Sequence, residues 1–210
     1  MAEIDDLIDK RQVPRGRYGA PNCVKERHRI YDELSTPEKI KGVCFHEVGH
    51  LIYLKRVSYL TDSEKSDLKI FGPRILYSEY TRQFQGLAGS VGSVDETSPP
   101  ETRFKYSEQN ISELASVTVA GRVYIRFFLP THPNLGDMKD IETFEAHHKL
   151  AQEELKLASI NIPTCSVFLS EAARSICQDL QDIALQVSIR ADAEKLERDC
   201  YTYRFSPSSS

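Results

Sequence analysis

A mostly α-helical, α+β fold, with a small β-sheet or hairpin between an early helix and the later helices, is what the amino-acid sequence predicts. Three observations carry this. Apolar residues recur at helical spacing through most of the chain. A single stretch, residues 68 to 96, is instead rich in β-branched and aromatic residues punctuated by glycine and proline. The order is helices, a small sheet, then helices, with no internal repeat and no strand–helix–strand alternation.

Residues 1–22 are charged, carry Pro14, Gly16, Gly19 and Pro21, and read as an extended arm. A single domain is expected over 23–200. It opens with a short helix, "CVKERHRIYDELS", in which His28 sits among charges as a surface residue. A helix over about 37–57 follows. Ser35 and Glu38 have capping-box spacing, and Pro37 falls in the first turn, where no hydrogen bond is lost. Residues 68–96 are expected to form two or three strands with Gly72-Pro73 as a turn. "DETSPPETRFKYS" is a loop. Helices are then expected from Ser107 to the stop at Pro130, from Asp137 onward, and from Ser170 for some thirty residues, a length that leaves room for a kink or break. Residues 201–210 read as a flexible tail.

At 210 residues the chain can bury a substantial core without disulfides or metal. A net charge of −4 supplies no basic field, so nucleic acid is not an expected partner. The acidic start lacks the pattern of a signal peptide, and no apolar run is long enough for a membrane span, so a soluble cytoplasmic protein is expected. The five cysteines are scattered, without a CxxC pair, and read as reduced thiols.

Within the second helix lies "VCFHEVGHLIYLKR". Residues four apart share a helix face, so His46 and His50 can direct their imidazoles at one point. A zinc ion there would polarise a water molecule. Glu47, about a hundred degrees round the helix, would stand beside that water as general base rather than ligand. The competing reading is a core helix that happens to contain two imidazoles. The setting favours the metal, because unpaired polar groups placed in so apolar a helix cost about 1–3 kcal/mol each.

A catalytic zinc takes three protein ligands and keeps one open position. The residues alone leave the third ligand open among His132, Asp137, Asp140, Glu142, His147 and His148. His147 and His148 lie on a charged helix and read as solvated, and His132 lies in a loop between prolines. Asp140 sits in a first helical turn, with Ile141 and Phe144 beside it to pack it inward. A carboxylate there also gains from the helix N-terminus.

"HEVGH", a strand segment, "SVTVAGR" and then "GDMKDIETF" resemble, in order and spacing, the peptidase domain of the FtsH-type AAA metalloproteases. The resemblance spans about residues 36–198 and implies a helical, zincin-like peptidase domain. It implies Zn2+ as cofactor, with His46, His50 and Asp140 as ligands, and Glu47 as catalytic base. It also implies a peptide or unfolded-protein substrate and assembly as a homo-oligomer. The chain departs from the family in two ways. The stretch nearest to a phosphate-binding loop, "GLAGSVGS", lacks the lysine of one, so cleavage would be ATP-independent by itself. "VYIRFF" replaces the acidic residues that usually follow "AGR", which motivates an alternative: a catalytically inactive interaction or regulatory protein that keeps the fold. Arg122 is read as structural.

Zinc peptidases commonly hold an extended peptide along an exposed strand. The segment Ile75 to Val94 is the candidate edge, its glycines allowing close backbone approach. Tyr53, Tyr77 and Tyr80 are candidates to polarise the scissile carbonyl, with nothing in the sequence to choose among them.

Overall fold

The structure, a computed structural model, describes residues 24–78, 83–93, 104–133 and 137–205. The expected N-terminal arm lies outside these residues. The described chain runs α1 (Val24–Glu33), α2 (Thr36–Leu54), α3 (Asp62–Asp67), β1 (Leu68–Ser78), β2 (Gln83–Ser93), α4 (Glu108–Phe128), α5 (Asp137–Leu157), α6 (Cys165–Asp179), α7 (Ile183–Arg198) and β3 (Tyr201–Phe205). This is the mostly helical architecture expected, with the β-hairpin between α2 and the later helices. No helix among the described residues is long and apolar enough to cross a membrane.

Two of the caps read from the sequence are present. Glu38 accepts from both the backbone N–H and the hydroxyl of Ser35, at 2.8 and 2.7 Å, and so fixes the start of α2. Ser107 accepts from the Asn110 N–H at the start of α4. Every residue of α4 from Val117 to Arg126 is buried, which marks this helix as the centre of the core. α2 packs along it, with α5 and α6 also against α4 and α7 against α2. The long final helix expected from Ser170 is two helices. Ser170 is not a cap, because its hydroxyl donates to the Ser166 carbonyl within α6. The break comes at residues 180–182, where Leu180 is fully buried and Asp182 caps α7 by accepting from Ala184 and Leu185.

The sheet has the order β2–β1–β3, antiparallel between β1 and β2 and parallel between β1 and β3. Two features differ from expectation. Gly72-Pro73 is not a turn but a bulge inside β1: Phe71 faces Ser90 and Arg74 faces Ala88, leaving two residues of β1 against Gly89. Gly72 takes φ 106°, a conformation open to glycine, and β3 pairs only from Arg74 onward, so Pro73 withholds no hydrogen bond from β3. Residues 201–205, read as part of a flexible tail, form β3 because the backbone of β1 offers them a ladder. The hairpin lies against α2, which places it beside the HExxH motif.

Candidate metal centre

His46, Glu47 and His50 stand midway along α2, and Asp140 in the first turn of α5. Ile141 and Phe144 are buried beside Asp140 and turn that helix face inward, as the apolar spacing predicts. His46 Nε2 lies 2.8 Å from His50 Nε2, and Asp140 Oδ2 lies 3.1 and 3.3 Å from the two nitrogens. Among the described residues this is the group of histidine, cysteine and acidic side chains able to hold a metal ion.

The donor set suits a metal better than it suits a hydrogen-bond network. His50 Nδ1 is 2.8 Å from the Val117 carbonyl, which can only accept, so Nδ1 carries the proton and the neutral ring turns a lone pair toward the cluster. Asp140 Oδ2 is buried and makes no hydrogen bond of acceptable geometry despite its short separations. With His46 Nε2 unprotonated as well, the lone pairs of two imidazoles and a carboxylate converge on one point. Ligand atoms at tetrahedral zinc distances stand about 3.3 Å apart, close to the spacing found here.

Two glycines make the geometry possible. A Cβ at Gly49 would stand 2.8 Å from the carbonyl carbon of Ala120, so α2 and α4 cross backbone to backbone at this point. A Cβ at Gly121 would stand 2.5 Å from His46 Nδ1, so the ring lies directly on the glycine. The "HEVGH" and "AGR" motifs are thus two sides of one helix crossing. Arg122 is buried within α4.

Charge is distributed unevenly. Burial opposes ionisation of Asp140, but His46 and His50 override it and hold the carboxyl well below the usual carboxylate range. Burial lowers the basicity of His50, and the Asp140 carboxylate more than reverses this, leaving it raised. Glu47 goes the other way: burial pushes its carboxyl up, against the pull of both imidazoles. It is only 7% exposed, and Gly89 of β2 packs against it.

The remaining candidates separate. His132 lies outside any helix or strand, as expected, and is buried: its ring fills the space a side chain at Gly42 would take, with a Cβ there 2.2 Å from its Nε2. Desolvation lowers its pKa to about 4. His148 is buried, not solvated, and its Nε2 donates to the Pro163 carbonyl at 2.8 Å. Its place on the stripe Ile141, Phe144, His148, Ala151, Leu155 is a signal the charged surroundings concealed. His147 instead meets the Tyr106 hydroxyl at 3.2 Å. Neither joins the cluster. Tyr53 is buried, and its hydroxyl donates to Asp179 rather than to a member of the cluster. Tyr80 lies outside the described residues, as does the side chain of Tyr77. In the candidate edge, Ile75 belongs to β1, the middle strand, and pairs with Leu87 and Thr202. β2 is one of the two outer strands, while residues 79–82 and Val94 lie outside the described residues.

No protein-family model, no curated protein and no solved structure matches the chain. Fold and site themselves define a zincin-like HExxH cluster, able to coordinate a metal ion, in a mostly helical fold.

Proposed function

We propose that the protein is a zinc-dependent metallopeptidase that hydrolyses peptide bonds in peptides or unfolded chains and needs no ATP of its own. The observation that carries this is the convergence of His46, His50 and Asp140 beside a buried Glu47. The resemblance of "HEVGH", "AGR" and "GDMKDI" to FtsH-type peptidases, in that order, supports the same reading.

In this account His46, His50 and Asp140 would hold the ion, and the Val117 carbonyl fixes the His50 tautomer. Zinc would supply Lewis acidity toward a water and the scissile carbonyl. Glu47 takes the proton of the attacking water and returns it to the departing amine. Its raised pKa suits both steps, because a base poised nearer neutrality can also act as an acid. The substrate backbone lies along β2, an outer strand of the sheet next to Glu47.

Val123, Tyr124 and Ile125, where the family carries acidic residues, are buried in the core. That departure serves helix packing, and the alternative, an inactive protein that keeps the fold, predicts bound metal without hydrolysis. The test is hydrolysis of an unstructured protein by the zinc-loaded chain. Cleavage abolished in Glu47→Gln with metal content unchanged is expected; cleavage that survives the substitution would remove Glu47 as base.

A further inference from the structure

The hairpin meets α2 at Gly89. A Cβ at this position would stand 2.8 Å from Glu47 Cγ, 2.8 Å from Val43 Cγ1 and 3.0 Å from Glu47 Oε1. Val43 and Glu47 are one turn apart on α2, so the strand backbone rests in the notch between them. Any larger residue would have to displace the glutamate, the valine or the strand.

The other side of the hairpin is irregular at the same level. Gly72 and Pro73 bulge opposite Gly89, between the pairs Phe71–Ser90 and Arg74–Ala88. Bulges bend and twist a strand, and they recur beside active sites, where they aim a side chain. The neighbouring glycine shows that the demand is local: a Cβ at Gly92 would meet only the Phe71 ring, at an ordinary 3.6 Å.

We propose that Gly89 is a positioning residue for Glu47. Seated opposite the bulge, it lets the β2 backbone press on the aliphatic stem of the glutamate and confine the carboxylate beside His46, His50 and Asp140. The role assigned to Glu47 rests on the peptidase reading. The packing of Gly89 on its side chain does not.

The relation is tested with Gly89→Ala, Val43→Ala and the double variant. Misplacing a reacting group by about 1 Å costs up to roughly a hundredfold, so kcat of Gly89→Ala should fall by about tenfold or more. The loss should fall on kcat more than on KM, and the visible spectrum of the cobalt-loaded protein should stay as in the wild type. Val43→Ala should keep near wild-type activity. The double variant should recover most of the lost kcat, because the new methyl can move into the space vacated by the valine. A merely structural glycine predicts instead that Gly89→Ala lowers thermal stability while the folded protein keeps the wild-type kcat. Wild-type kcat in Gly89→Ala, or a double variant no better than Gly89→Ala, would overturn the proposal.

A readout independent of turnover separates this proposal from the peptidase reading. In metal-free, isotope-labelled protein, the Glu47 carboxyl resonance, assigned by its loss in Glu47→Gln, should shift in Gly89→Ala and return in the double variant. If the wild type hydrolyses nothing but the resonance behaves so, the peptidase reading fails and the packing relation stands. An unmoved resonance overturns the relation. Should Gly89→Ala not fold, a folded double variant supports the proposal and an unfolded one contradicts it.

Discussion

Gly121 and His46 are in direct contact: the ring of the histidine occupies the space that a side chain at position 121 would need, 2.5 Å from Nδ1 to the missing Cβ. One candidate ligand's orientation is thereby set by a neighbouring helix rather than by a hydrogen bond, since His46 Nδ1 is buried without a partner. Gly121→Ala must tilt the ring or part the helices. Zinc affinity, measured by competition with a chelator, should drop by about ten- to a hundredfold, as for lost outer support of a metal ligand. Unchanged affinity would show that the ring is not held there.

Glu47 should lower the stability of the metal-free protein. Its folded pKa is raised by burial, so the folded state holds this proton more tightly than the unfolded state. Stability from this group therefore falls as pH rises from the ordinary glutamate pKa to the raised one, by about 1.4 kcal/mol per pKa unit. Glu47→Gln has no such charge to bury. In urea unfolding with chelator present, the variant should be more stable than the wild type at pH 8, and the difference should shrink as pH approaches about 4. A difference that does not change with pH would contradict the burial of the carboxylate.

His132 should make the fold sensitive to acid. Its pKa, lowered to about 4 by desolvation, lies below that of an unfolded histidine. As pH falls from about 6.5 the unfolded state gains the proton first, and the protein loses up to about 3 kcal/mol before the folded state protonates. Between pH 7 and 4.5, His132→Leu should lose less stability than the wild type. Equal losses would place the sensitivity elsewhere.

Gly42 and His132 should prove to be a size-matched pair. Overfilling a packed site costs about 1–3 kcal/mol, and Gly42→Ala puts a methyl into the His132 ring. Thermal unfolding should show that loss, with much of it recovered when His132→Ala is added. Additive losses would mean that the two positions do not touch.

The helices were legible because their signals are local. Ser35 with Glu38, and Ser107 before its apolar run, mark ends that the structure keeps. The metal cluster was half legible for the same reason: His46, Glu47 and His50 share one helix, whereas Asp140 comes from another and no spacing rule links the two. Gly72-Pro73 was misread because the pair looks like a turn in isolation, and only its pairing with β2 makes it a bulge. β3 was missed because five residues carry little signal until a partner strand stands beside them. His132 was the least visible. The clue was Gly42, a helical glycine whose cost of about 1 kcal/mol asks for a packing reason, and that reason lies ninety residues away.

The most direct test of the account is anomalous diffraction at the zinc edge from crystals of the full chain grown with zinc. One peak is expected, within about 2.0–2.2 Å of His46 Nε2, His50 Nε2 and an Asp140 carboxylate oxygen. A zinc peak elsewhere, or one bound by the histidines with Asp140 turned away, would contradict it.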